Sequence, residues 1–107
     1  MELNQYAIVL VNLDPTIGSE AKKTRPCLII SPNEMNKYLQ TIIIAPITSS
    51  SKNYPTRVEV KGTTINGWIM IDQIRTIDKK RIIKVFEEIS KKEILSVKDV
   101  IKETFVL

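Results

Sequence analysis

The chain has 107 residues, 43% apolar and 26% charged, which excludes wholesale disorder and sets one domain over residues 1–107 as the expectation. A single Cys27 excludes an internal disulfide, and zero histidines exclude His-based catalysis and most zinc sites; the net charge of +4 is compatible with nucleic acid without demonstrating it. No apolar run approaches the ~20 residues of a membrane span and the first ten residues lack a basic leader, so membrane insertion and secretion are not expected.

Eighteen Ile, eight Val and nine Thr give a β-branched excess that favours a mostly-β fold. The first predicted strand is Tyr6 to Leu13, stopped by Asp14-Pro15. Asp14 to Thr24 reads as a loop, long enough for functional use. A second strand, Cys27 to Ser31, lies between Arg25-Pro26 and Ser31-Pro32, since proline cannot donate within a central ladder. Asn33 to Gln40 is a polar connector with room for one helical turn, and Thr41 to Ile47 (TIIIAPI) has the length of a buried strand. Thr48 to Pro55 is a polar loop. Arg57 to Val60 is a short strand, Lys61 to Asn66 a turn, and Gly67 to Ile74 a strand interrupted at Asp72-Gln73. Ile82 to Ile89 leaves open a last strand or an irregular edge. Ser90-Lys91-Lys92-Glu93 has the capping-box pattern, and Ile94, Val97, Ile101 and Phe105, with Val100 beside them, make one apolar stripe over a helix from Lys91 to Thr104.

Three polar clusters interrupt this framework beside strand ends: Gly18-Ser19-Glu20 leading to Arg25, Thr48 to Ser51, and Asp72-Gln73 with Arg75. The strings DPTIGSEAKKTRPCLIIS, IIIAPITSS and DQIRTIDKKR, in this order and spacing, resemble the MazF/PemK (Kid) toxins. That resemblance implies an SH3-like β barrel with a C-terminal helix, of the CcdB/Kid/MazF type, acting as a cytoplasmic homodimer that a cognate antitoxin holds inactive. It also implies metal-independent, sequence-selective cleavage of single-stranded RNA to 2′,3′-cyclic phosphate and 5′-hydroxyl ends, with no cofactor. The arginine of the R-P motif and the threonine of the P-I-T-S motif carry the family's catalysis, and here these are Arg25 and Thr48. Thr16, Gly18, Ser19, Glu20, Ser49, Asp72 and Gln73 are the candidate RNA-binding positions. The segments 33–40 and 51–67 match the family loosely, which bears on base preference more than on the reaction.

The residue chemistry agrees with this reading. RNA cleaves itself if its 2′-hydroxyl is aligned and the doubly charged phosphorane is stabilised. A guanidinium offers a planar, fixed-charge fork to phosphate oxygens, and a threonine adds a neutral donor. Charge stabilisation suits an arginine better than general-base duty at neutral pH, although the resemblance implies acid–base work as well.

Plainer readings stand beside each of these. Arg25 alone reads as a solvated strand-end cation and Thr48 as a strand-terminal hydroxyl capping backbone groups. Gly18-Ser19 is a generic turn, and pairing of Asp72-Gln73 with Arg75 or Arg81 in a structural network stands level with base recognition, in which Gln73 reads a base edge through its donor and acceptor. Trp68 reads as core or dimer interface, Tyr38 and Tyr54 as loop residues able to stack on bases, and Cys27 as a small buried hydrophobe. Two other functions compete: a gyrase-poisoning toxin like CcdB, and an SH3-like nucleic-acid-binding module without catalysis. The Arg25/Thr48 pair argues against the first, and the modest +4 charge against the second.

Overall fold

The computed structural model describes residues 2–13, 24–51, 53–62 and 64–107. In chain order its elements are β1 (Ala7–Asn12), β2 (Thr24–Ile29), α1 (Asn33–Tyr38), β3 (Thr41–Thr48), β4 (Arg57–Lys61), β5 (Asn66–Met70), β6 (Arg75–Asp78), β7 (Ile82–Glu88) and α2 (Lys91–Ile101). The strands make one antiparallel sheet in the order β4-β5-β3-β2-β1-β7, with β6 also paired to β3. This is a mainly-β half-barrel with a C-terminal helix: the β-branched composition leads one to expect the strands, the capping box and apolar stripe the helix, and the family resemblance the barrel.

β3 is the hub. One of its edges pairs with β2; the other pairs with β6 over Thr41 to Ile44 and then with β5 at Ile47 and Thr48. A 3₁₀ turn, Ile71–Gln73, joins β5 to β6 where β3 changes partner. Strand alternation feeds two cores. Ile42 and Ile44 join Val9, Val11, Cys27, Ile29 and Ile77 on one face, while Ala45 and Ile47 join Ile8, Leu28, Val58, Ile69 and Val97 on the other. Burial on both faces is why TIIIAPI reads as a continuous apolar run rather than an alternating one.

At α2 the capping box forms as its sequence specifies. The Ser90 hydroxyl accepts from the Glu93 N–H at 3.2 Å, and the Glu93 carboxylate accepts from the Ser90 N–H at 3.0 Å. Glu93 also accepts from the Lys61 N–H at 2.9 Å, which ties the helix start to β4. Burial pushes the Glu93 carboxyl up, but these hydrogen bonds outweigh it and hold the group below its ordinary value. Among the described residues no helix is long and apolar enough to cross a membrane.

The structure corrects four local readings and decides one that the sequence leaves open. β2 begins at Thr24, so Arg25 and Pro26 lie within the strand instead of before it. Proline is tolerated there because Pro26 pairs with Leu10 of β1 but lies beyond the last β2–β3 pair, Cys27 with Pro46. The strand predicted over Gly67 to Ile74 ends at Met70, and β6, which the sequence reading did not isolate, follows the 3₁₀ turn. Ile82 to Glu88 resolves as a strand, hydrogen-bonded to β1. Phe105 leaves the apolar stripe and is 57% exposed. Helical geometry widens after Ile101, with Leu107 N–H bonded to Lys102 C=O at 3.0 Å, so the i+11 spacing no longer keeps Phe105 on the packed face. Asp72, finally, pairs with Arg57 rather than with Arg75 or Arg81.

Candidate functional site

The β2–β3 register brings two polar side chains together. Cys27 lies opposite Pro46 and Leu28 opposite Ala45, so two further steps along each strand set Arg25 opposite Thr48. Alternation puts both on the face that carries Cys27, Ile29, Ile42 and Ile44. The ladder stops at two prolines, Pro26 and Pro46, and beyond it a cleft of about 240 Å³ opens between the strands. Thr24, Arg25, Pro26, Ile47, Thr48, Ser49 and Asn66 line that cleft. Gly67 lets β5 close its far wall: a Cβ there would meet the Thr48 carbonyl oxygen at 2.5 Å and an Ile47 methyl at 2.9 Å.

Both side chains are half-buried. Among the described residues no carboxylate pairs with Arg25, and the arginine lines the cleft. The Thr48 hydroxyl donates to the Ser50 carbonyl at 3.0 Å and accepts from the Ser50 N–H at 3.4 Å. This local turn is the backbone-capping role of a strand-terminal threonine. Beneath the pair, burial pushes the Cys27 thiol up to about 12, although the nearby Arg25 and Arg75 guanidiniums pull the other way. The thiol is thus a neutral core group, fully buried.

Beside the cleft lies a second polar cluster. Asp72, on the 3₁₀ turn between β5 and β6, accepts from Arg57 Nε at 2.9 Å and Nη2 at 3.4 Å, and from the Thr56 hydroxyl at 3.0 Å. The Arg57 guanidinium holds the Asp72 carboxyl below the usual carboxylate range. Its remaining arm, Nη1, donates to the Ser51 hydroxyl at 2.9 Å, and the Tyr54 ring lies 5.2 Å from the guanidinium.

The remaining candidates separate. Ser49 lines the cleft, and Gln73 is exposed next to Asp72. Thr16, Gly18, Ser19 and Glu20 lie outside the described residues. Tyr38 ends α1 and is 74% exposed, Tyr54 is 47% exposed, and Trp68 is half-buried on β5 opposite Thr48. Sequence reading missed Asn66, which sits in a presumed turn, and Arg57, which looks like an ordinary strand-leading cation. Its 15-residue separation from Asp72 carries no periodic signal; only the folded pairing reveals it.

Residues 4–105 match the family model described as PemK-like, MazF-like toxin of type II toxin-antitoxin system. A protein of Staphylococcus epidermidis named Endoribonuclease MazF is 34% identical over 96 residues, covering 84% of this chain and 80% of its own length. Among solved structures, MazF from Deinococcus radiodurans superposes with a TM-score of 0.85 at 23% identity, covering 100% of this chain and 99% of that one. A mycobacterial endoribonuclease in complex with its cognate antitoxin also gives 0.85, at 17% identity, covering 98% and 96%.

Proposed function

We propose an endoribonuclease, because the chain belongs to the PemK-like, MazF-like toxins of type II toxin–antitoxin systems and resembles a named endoribonuclease over most of its length. The substrate is single-stranded RNA, cut at selected sequences. The observation that carries the reading is Arg25 opposite Thr48 across a strand pair whose ladder has just ended, both lining one cleft.

In the reaction the ribose 2′-oxygen attacks the adjacent phosphorus. A 2′-O–P bond forms, the P–O5′ bond breaks, the 2′-hydroxyl loses its proton and the departing 5′-oxygen gains one. The products are a 2′,3′-cyclic phosphate and a 5′-hydroxyl. Arg25 stabilises the charge that builds on the non-bridging oxygens, with two N–H groups matched to two oxygens. Thr48 adds a hydroxyl at the edge of the same cleft, whose single proton reaches a phosphate oxygen by turning away from the Ser50 carbonyl. Neither contribution calls for a metal ion or cofactor. Ser49 on the cleft wall, the exposed amide of Gln73 and the neighbouring Asp72 line the path of the strand, and Thr16, Gly18, Ser19 and Glu20 keep the RNA-binding role that the family resemblance gives them.

The whole chain works as one such domain in the cytoplasm. Leu95, Phe105, Val106 and Leu107 leave apolar surface exposed near the C-terminus, which supports a homodimer and a cognate antitoxin that blocks cleavage. Incubating the pure protein with mixed RNA in EDTA and mapping the ends tests the enzymatic reading. New 5′-hydroxyl ends at a restricted set of sequences are expected. Intact RNA, or activity that appears only with added magnesium, would overturn it.

A further inference from the structure

Thr48 contributes to the proposed reaction only if its hydroxyl is held at the cleft, and its own contacts do not suffice for that. Pairing with Trp68 of β5 holds the Thr48 backbone in the sheet, but both hydrogen bonds of its hydroxyl go to Ser50 in the loop beyond the strand, so the rotation of the hydroxyl follows that loop. The loop itself must be anchored to the sheet by something else. Arg57 is placed to do this, since each arm of its guanidinium holds a different segment. Nε and Nη2 grip Asp72 on the 3₁₀ turn under β3, and Nη1 donates to the Ser51 hydroxyl, one residue beyond Ser50. Asp72 is in turn held by Thr56, and the Ile71 N–H bonds to the Thr56 carbonyl at 3.1 Å, so the anchor point belongs to the sheet.

The guanidinium side chain is 14% exposed, which limits its exchange of these partners for water. A planar fork that spans two acceptors on different segments is work for an arginine; an ammonium at the same place reaches as a point charge. The Tyr54 ring beside it, 5.2 Å away, further restricts the fork.

We infer that Arg57 is a positioning residue for the proposed ribonuclease reaction, clamping the Thr48–Ser51 loop to Asp72 so that the Thr48 hydroxyl stays opposite Arg25. The inference rests on the ribonuclease reading. It assigns Arg57 no contact with RNA; its effect passes through Ser51 and Ser50 to Thr48. Misplacing a reacting group by about 1 Å costs on the order of 10²-fold in rate, and loosening one anchor of a short loop is expected to cost roughly tenfold or more.

The test uses Arg57→Gln, Arg57→Lys and the milder Ser51→Ala, which removes one hydroxyl from a loop and leaves the Arg57–Asp72 pair in place. Steady-state cleavage of a defined RNA, corrected for folded fraction, should show kcat lowered about tenfold in Arg57→Gln with KM within about twofold of wild type. Ser51→Ala should follow in the same direction to a lesser degree, and Arg57→Lys should fail to restore kcat. The second readout needs no RNA: the Ser50 amide resonance should move and its hydrogen exchange accelerate in Arg57→Gln and Ser51→Ala. A raised KM with unchanged kcat would make Arg57 an RNA contact and overturn the inference, as would wild-type kcat in both Arg57→Gln and Ser51→Ala. If the wild-type protein cleaves no RNA, the ribonuclease reading falls on that result alone. An unchanged Ser50 amide in both variants then overturns the clamp as well.

Discussion

The two ends of β3 carry the same alternation and serve opposite purposes. From Thr41 to Ile44 the strand has β6 on one edge, and β2 joins the other edge by Ile44, so Ile42 and Ile44 are sealed in the core. Four residues beyond Ile44, Thr48 occupies an equivalent position on the same face, but the β2 ladder has ended at Pro46 and Pro26. The side chain opposite it is an arginine and the space between the strands is open. A core position becomes a site position through loss of one neighbour's hydrogen bonds, with no change in strand geometry. Pro26 takes part in this by lacking the N–H that its place in β2 would turn toward β3.

If the two ends differ in this way, substitutions should separate activity from stability along one strand. The largest effect belongs to the open end. Thr48→Ala, and Arg25→Lys across from it, should each slow single-turnover cleavage by on the order of 10²–10³, with melting temperatures close to wild type. Ile44→Ala at the sealed end should do the reverse: ~2–5 kcal/mol lost in urea unfolding, with the rate per folded molecule retained. An Ile44→Ala protein that folds normally but does not cleave would break the comparison.

Gly67→Ala sits on the boundary and should touch both properties. Its new methyl is pressed against the Thr48 carbonyl oxygen and cannot be accommodated without moving β3 or β5. A stability loss of ~1–3 kcal/mol, together with slower cleavage, is expected from paired unfolding and rate measurements. The smallest effect is a pH dependence. Asp72 has a depressed pKa, so its pairing with Arg57 stabilises the fold above the ordinary carboxylate pKa of ~4 and is lost as pH falls below it. Wild type should therefore melt slightly higher than Asp72→Asn at pH 7, and the gap should shrink as pH falls below about 4. A gap that is constant with pH would remove the charged pair from the account of this corner.

How much of this the sequence discloses follows from the range of each signal. The start of α2 is legible because a capping box is a four-residue pattern, and β3 because seven consecutive residues from Thr41 to Ile47 are nearly all apolar. Arg25 and Thr48 are legible only through their resemblance to family motifs; taken alone, each looks like an ordinary strand-end residue. The four-residue β6, with Arg75 and Asp78 at its ends, offers too short an alternation to stand out. Sequence proximity points Asp72 to Arg75 and Arg81, whereas its partner lies 15 residues away on β4. Phe105 falls off the packed face because regular 3.6-residue spacing does not extend past the point where the helix widens.

The central claim is that Arg25 and Thr48 act as one unit across the end of the β2–β3 ladder. The direct measurement is single-turnover cleavage of one defined RNA in EDTA by wild type, Arg25→Ala, Thr48→Ala and the double variant, each verified as folded. Each single variant should lose on the order of 10²–10³ in rate, and the double variant should be little slower than the worse single, as expected for residues that work together. Wild-type cleavage by either single variant, or a double variant whose loss is the full product of the two, would contradict it.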